Sequence, residues 1–361
     1  MLHYIRPISK PIFRRIFQLP ATPRFAIRPF SLNTMSIPTT HYAIRIHKTG
    51  GPEVIQYEEV PVPQIGDNEI LVKSEYAGVN FIEKYFREGL YKAELPYTLG
   101  REGAGKIVKV GSKVTKFAVG DTVGYLKAGA LAEYVALGED EKIVKAPEGM
   151  STKLLGSILI QGLTAHVLTT ESYPVKKDDY VLVHAAAGGT GSLVVQFASQ
   201  FGAHVIGTTS TKEKADLAKS LGAEHVINYK EEDVAARVKE ITGGKGVIAS
   251  FDSVGKSTFE VSLNSLALHG NLLSFGNASG AVPPVSVLTL GQKDIRLSRP
   301  VLFNFIGTPE EWNKHSTAVL KAIADDKLKV TISKTYPLKD FGSALEDLVS
   351  GKTTGKLAIE F

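Results

Sequence analysis

The small-residue run Ala185-Ala-Ala-Gly-Gly-Thr-Gly191 is followed by Thr208-Thr-Ser210 and then by Lys212 and Lys214, a set that could hold a phosphorylated dinucleotide. A glycine-rich turn between strand and helix lets a pyrophosphate approach the backbone and meet the free N–H groups of the helix N-terminus. The residue type at the end of the following strand then selects the nucleotide. A carboxylate about twenty residues beyond the turn would accept the ribose 2′-hydroxyl of NAD, whereas hydroxyls and lysines suit a 2′-phosphate. The expected cofactor is therefore NADP(H). Aligned to G-x-G-x-x-G, the first position is Ala186 and the matches are Gly188 and Gly191, with Gly189 extra. Alanine fits the turn but takes positive φ less freely than glycine. The plain alternative is a βαβ crossover whose glycines serve only the packing of helix on strand.

The elements that would position these residues read as a strand over 180–184, a helix over 192–202 and a strand over 204–208. The alternation continues with helices at 211–221, 231–242 and 256–268 and strands at 224–228, 247–252 and 271–276. That succession predicts a doubly wound parallel sheet. Before it, short runs at 42–47, 55–60, 69–76, 105–110, 122–126 and 132–136, separated by Gly and Pro, predict a compact β-barrel-like domain. After Pro300, helices near 310–325 and 341–349 and strands near 328–334 and 357–361 are expected to return to this first domain. The apolar run from Val181 to Ala198 is broken by three glycines and His184, which argues against a membrane span.

The 361-residue chain is long enough for two cores and contains no cysteine. Disulfides, thiolate nucleophiles, cysteine-ligated zinc and iron–sulfur clusters are thereby excluded. The formal charge of +5 is concentrated at the N-terminus, where residues 1–40 carry six basic residues and no acid, leaving 36 basic and 37 acidic residues in the remainder. Basic, acid-free and placing Ile12, Phe13, Ile16 and Phe17 along one helical face, residues 1–34 read as a mitochondrial presequence cut near Ser31. A disordered basic tail is the alternative, since Pro7, Pro11, Pro20, Pro23 and Pro29 break any long helix. Met35 offers a second start that would give a cytoplasmic form. The nine histidines show no metal spacing. His184 reads as a satisfied sheet residue, and neither Ser192 nor Ser253 has a base to make it a nucleophile.

Several stretches in order carry a family resemblance: Tyr76-Ala-Gly-Val-Asn-Phe-Ile-Glu-Lys-Tyr85, Arg87-Glu-Gly-Leu-Tyr91, Leu99-Gly-Arg-Glu-Gly-Ala-Gly105, the turn at 185–191 and Ser274-Phe-Gly-Asn-Ala-Ser-Gly280. From Tyr42 to Phe361 the chain resembles the zinc-free medium-chain dehydrogenases/reductases of the quinone oxidoreductase (zeta-crystallin) family. The resemblance implies an α/β protein in two domains. A GroES-like catalytic domain would span 41–160, completed by 305–361, and a Rossmann NADP-binding domain 161–304, with the cofactor between them. Zinc-dependent relatives place a cysteine in the segment of Val79-Asn80 and a histidine where Arg101 stands. Asn80 and Arg101 offer neither thiolate nor imidazole, so a reaction without zinc is expected.

By the same resemblance, Lys214 would contact the 2′-phosphate, with Lys212 its rival, and Tyr229 would cover the adenosine. Ser210 would be a further phosphate donor or, alternatively, the cap of the next helix. Ala187, Gly188, Gly189, Thr190, Gly191, Thr209 and Ser253 complete the nucleotide set. Asn80, Tyr85, Thr164, Phe275 and Gly276 would lie near the nicotinamide. Asn80 and Tyr85 are the expected catalytic donors to the oxyanion that hydride transfer creates. A packed core tyrosine and a plain turn former are the respective alternatives. Glu83 stands where the family often has aspartate. Arg299-Pro300 would either line the substrate entrance or support a turn.

The function so implied is an NADPH-dependent quinone reductase that also takes α,β-unsaturated carbonyls as electrophilic small-molecule acceptors. The alternatives are a mitochondrial enoyl-thioester reductase and an AU-rich RNA-binding, zeta-crystallin-like protein. The near-neutral body gives RNA little to bind to. The resemblance also implies a homodimer joined through the strand at 294–298.

Overall fold

The computed structural model describes Met1 and residues 36–361; the expected presequence, its cut near Ser31 and the alternative start at Met35 fall outside the described residues. Two sheets dominate residues 38–361. The first is parallel and six-stranded, in the order His225–Asn228, His204–Thr209, Tyr180–Val183, Val247–Asp252, Leu266–Ser274 and Arg296–Ser298. Its inner strands are apolar on both faces because helices cover both. Side-chain alternation divides them between two cores: Val181, Val183 and Val205 enter one, Leu182 and Ile206 the other. Successive connections run in opposite directions from Tyr180–Val183, so a crevice opens beyond the carboxyl ends of that strand and Val247–Asp252, the place where open α/β sheets bind ligands. Arg296–Ser298, inside the expected 294–298, is the edge strand.

The second sheet is mostly antiparallel. Its order is Ile332–Pro337, Lys356–Glu360, Glu69–Gly78, Glu102–Val110, Thr122–Leu126 and Lys142–Lys145, with Tyr134–Gly138 also pairing along Glu69–Gly78. Thr40–Ile46, Gln56–Pro61 and Tyr97–Thr98 form a smaller sheet. The C-terminal strands thus return to the β-rich part, Ala358 lying opposite Gly78. The strand expected at 328–334 lies later, at Ile332–Pro337.

Helix Thr152–Val167 starts at Ser151, whose side chain accepts the Leu154 N–H. It is buried along nearly its whole length between the two sheets and helix Pro309–Ala324. The expected domain boundary at 160/161 falls inside it. Helix Gly189–Gln200 begins three residues earlier than the expected 192, the small residues of the turn forming its first winding. The helix expected at 256–268 is confined to Phe259–Ser265, because Leu266 already pairs with Val247. Among the described residues, no helix is long and apolar enough to cross a membrane.

Candidate active site

Beyond Val183 the chain turns sharply at Ala185, which holds φ at 51°. The positive φ thus falls on Ala185, one residue before the first position of the aligned motif, Ala186. Ala186 N–H donates to the Thr208 carbonyl at 3.0 Å and Gly188 N–H to the Ala185 carbonyl at 2.8 Å. A Cβ on Gly191 would stand 2.3 Å from the Ala185 oxygen, so close packing demands glycine there. Among the described residues no side chain caps the helix that starts at Gly189, so the first-turn N–H groups of Gly189, Thr190 and Gly191 are of the kind that can meet an anion. Gln161 packs directly on Gly189 and brings helix Thr152–Val167, with half-buried Thr164, alongside the turn. Gly355 N–H donates to the Ala187 carbonyl at 3.1 Å, so the C-terminal loop crosses the same turn.

At the end of His204–Thr209, Thr209 is buried and its hydroxyl has no partner among the described residues, while its carbonyl accepts the Tyr229 N–H at 3.1 Å. Thr211, not Ser210, caps helix Lys212–Ser220 by accepting the Lys214 N–H, which corrects the alternative role considered for Ser210 and leaves its hydroxyl for other work. The two lysines separate clearly. Lys212 points to solvent and pairs with Asp216 at 2.7 Å. Lys214 turns inward to the Gly351 carbonyl, and burial together with nearby Lys230 lowers its pKa. Tyr229 lies just past the next strand and is 53% exposed, free to cover a neighbouring group.

A buried polar cluster fixes the next turn. Thr258 Oγ1 donates to the Asp252 carboxylate at 2.8 Å and Ser262 Oγ donates to it at 2.9 Å. The Ser262 hydrogen is thereby spent, so His184 Nε2 is the donor in its 3.0 Å contact with Ser262, and His184 Nδ1 accepts from Thr208 at 3.2 Å. Burial lowers the His184 pKa and keeps the ring neutral, as expected of a satisfied sheet residue. Asp252 also accepts the N–H groups of Val254 and Gly255, and its carbonyl takes the Phe275 N–H at 2.8 Å. Ser253 and Gly276 are pressed together, a Cβ on Gly276 standing only 2.2 Å from the Ser253 oxygen.

Tyr85 and Asn80 sit at the two ends of helix Phe81–Arg87 and have different fates. Asn80 is the N-cap and is buried. Its Nδ2 donates to Glu102 Oε1 at 2.9 Å and to the Gly78 carbonyl at 3.2 Å, and its Oδ1 accepts from Lys356 Nζ at 2.8 Å. Both amide hydrogens are consumed, so Asn80 has none left for an oxyanion. Tyr85 crosses the crevice: its hydroxyl accepts the Asn277 N–H at 2.9 Å, and among the described residues no acceptor takes its hydrogen. Burial pushes its pKa up to about 12. It is a hydrogen-bond donor that stays un-ionised. Glu83 is fully buried with one oxygen on the Gly100 N–H at 2.8 Å and the other unpartnered among the described residues. Arg101 places its guanidinium 4.3 Å above the Phe86 ring.

Sequence reasoning missed Lys356, Glu102 and the loop Gly351–Gly355, although Gly351-Lys-Thr-Thr-Gly355 is itself a loop signal. It left Arg299 undecided. Among the described residues, no group of three or more His, Cys, Asp and Glu is gathered to hold a metal.

Comparison with known proteins supports the two-part α/β fold. Residues 66–179 match the family model described as an alcohol dehydrogenase GroES-like domain, and residues 189–321 that described as a zinc-binding dehydrogenase. The chain is 42% identical over 318 residues to quinone oxidoreductase 1 of Escherichia coli, covering 86% of this chain and 97% of that protein. It is 37% identical over 324 residues to a 2-haloacrylate reductase of Burkholderia, covering 87% and 97%. The crystal structure of Escherichia coli quinone oxidoreductase complexed with NADPH superposes with a TM-score of 0.85 at 41% identity, over 89% of this chain and all of that one.

Proposed function

Because this chain belongs to the quinone oxidoreductase family of medium-chain dehydrogenases/reductases, we propose that it reduces quinones, and also α,β-unsaturated carbonyl compounds, with NADPH and without zinc. It is an NADP(H)-dependent oxidoreductase. The observation that carries the choice of acceptor is the Tyr85 hydroxyl, anchored by the Asn277 N–H and still holding a free hydrogen.

The residues present fit the cofactor. The uncapped winding at Gly189, Thr190 and Gly191 suits a pyrophosphate, and the orphaned Thr209 hydroxyl with Ser210 and Lys214 suits a 2′-phosphate. When bound, the reduced nicotinamide supplies a hydride. Phe275 and Gly276, held through Asp252, and Thr164 on its helix would line the reacting face. Tyr85 would donate a hydrogen bond to the acceptor oxygen as negative charge develops there. Since the phenol does not ionise near neutrality, the proton that completes the hydroquinone comes from water. Asn80 would hold helix Phe81–Arg87, and with it Tyr85, in place. The Burkholderia relative's name specifies an acrylate, an electron-poor double bond of the kind that accepts hydride, which supports the wider acceptor range.

Steady-state oxidation of NADPH and NADH by the full chain, with 1,2- and 1,4-quinones and an enone as acceptors and with or without a chelator, tests the proposal. Preference for NADPH, quinone turnover and indifference to the chelator are expected. Preference for NADH, or no turnover with any acceptor, would overturn it.

Three finer assignments belong to the same reading. Residues 41–160 with 305–361 would form the catalytic domain and 161–304 the nucleotide domain. The edge of Arg296–Ser298, unpaired among the described residues, would join a second copy into a dimer, checked by sedimentation. The acid-free, basic residues 1–34 would direct import into mitochondria, checked by imaging the chain with and without them.

A further inference from the structure

We infer that Arg299 is a positioning residue for the acceptor reaction, one guanidinium setting two tyrosine hydroxyls across the crevice; the inference rests on the reductase reading above. Arg299 follows the edge strand Arg296–Ser298 directly. Its Nη1 donates to the carbonyls of Ser274 at 2.9 Å and Gly276 at 3.0 Å. Its Nη2 donates to the Tyr91 hydroxyl at 3.2 Å. With the Asn277 amide turned so that both of its ends are satisfied, Nη2 also reaches Asn277 Oδ1 at 2.9 Å, and the amide nitrogen donates to the Gly276 carbonyl at 3.0 Å. Four of the five guanidinium hydrogens are then committed to the protein. Arg299 is therefore a clamp and not itself an acceptor-binding cation.

What it clamps is the turn that supplies the Tyr85 anchor. The Ser274–Asn277 backbone carries the Asn277 N–H, which holds the Tyr85 hydroxyl at 2.9 Å. The same guanidinium donates to the Tyr91 hydroxyl, and among the described residues no acceptor takes that hydroxyl's own hydrogen. The two rings stand edge to face with centroids 5.3 Å apart, and Tyr91 N–H donates to the Tyr85 carbonyl at 3.1 Å. Both phenols are thus used as acceptors by the protein and present their hydrogens elsewhere. The positive charge also opposes the effect of burial on Tyr85 and strengthens it as a donor. A lysine cannot replace this fork, because one ammonium cannot span two turn carbonyls and a phenol in the same geometry.

The experiment compares the full chain with Arg299→Met, Arg299→Lys, Tyr91→Phe and the double variant Tyr91→Phe/Arg299→Met. It measures kcat and KM for a quinone, NADPH affinity by fluorescence titration, and thermal melting. Arg299→Met is expected to lower kcat about tenfold or more while NADPH affinity changes by less than about threefold. Tyr91→Phe is expected to add little further loss in that background. Unchanged kcat in Arg299→Met, or losses that simply multiply, would overturn the inference. If Arg299→Met melts below the assay temperature, Arg299→Lys decides: a lowered kcat supports the clamp and a wild-type kcat overturns it. Absence of turnover by the unaltered protein would overturn the reductase reading, and this inference with it.

Discussion

Lys356 Nζ lies 2.9 Å from Glu102 Oε1, both side chains being at most 2% exposed. The ammonium spends its other hydrogens on the Val79 carbonyl and Asn80 Oδ1, and the second Glu102 oxygen accepts the Ile160 N–H at 2.8 Å. One ion pair thus ties the last strand, the strand Glu102–Val110, the cap of helix Phe81–Arg87 and the middle of helix Thr152–Val167.

Removing one partner leaves a buried charge without compensation. Lys356→Met is expected to destabilise the chain by about 3–5 kcal/mol. The double variant Lys356→Met/Glu102→Gln should recover part of the loss. Urea unfolding of both checks this; a double variant no more stable than the single one would refute it.

Burial raises the Glu83 pKa from its ordinary 4.5 to about 7, against the pull of the Gly100 N–H and Arg101. The folded state therefore holds this proton more tightly than the unfolded chain. Stability from this group is complete below pH 4.5 and is lost as pH rises through 7. Glu83→Gln, which cannot ionise, should match the parent near pH 4.5 and exceed it at pH 8 by on the order of 2–3 kcal/mol. Denaturation midpoints at the two pH values decide, and an equal advantage at both would refute the ionisation account.

Lys214 and Lys212 are two residues apart but face different surroundings. Lys214→Met should weaken NADPH binding about 10- to 100-fold, through loss of a charge-assisted contact, and barely alter NADH binding. Lys212→Met should leave both within about twofold, as expected for an exposed ion pair. Fluorescence titration with each nucleotide is the measurement, and equal effects of the two variants would remove Lys214 from the phosphate site.

His166 and His315 meet at 2.9 Å between their Nδ1 atoms, so one ring must donate and the other accept. Burial, reinforced by the like charge of His315, brings the His166 pKa down to about 4. The unfolded chain thus binds this proton more readily, and stability present above pH 6.5 is lost as pH falls towards 4. His166→Asn should flatten that acid limb of the melting curve. A limb of unchanged steepness would show that other groups govern it.

The strand, turn and helix expected to take the nucleotide were legible because they are local. A strand, a turn of small residues and a helix lie within one short stretch, followed by the hydroxyls at the end of the next strand and the lysines of the helix after it. Even there, Ser210 and Thr211 could not be told apart as caps by residue type alone; Thr211 takes the role through its extended backbone and its contact with the Lys214 N–H. Helix Thr152–Val167 was silent because burial on all sides erases the apolar stripe that would reveal it. The acceptor end was legible in residue types but not in their commitments. Asn80 reads as a donor until Lys356, 276 positions away, and Glu102 are found to saturate it. Arg299 reaches Tyr91 across 208 positions, a separation at which no spacing rule operates.

The place of the final strand also bears on the order in which the molecule can be made. Lys356–Glu360 lies beside Glu69–Gly78, Lys356 neutralises Glu102, and Gly355 closes onto Ala187. Each partner is synthesised long before the segment that completes it. While residues 355–360 are still inside the ribosome, the β-rich part lacks an interior strand, Glu102 lacks its counter-charge, and the turn at 185–191 lacks its Gly355 contact. Nascent chains ordinarily fold domain by domain from the N-terminus. Here the emergence of residues 355–360 is what completes these contacts, and removing residues 355–361 would lose the strand pairing, the ion pair and the Ala187 contact together.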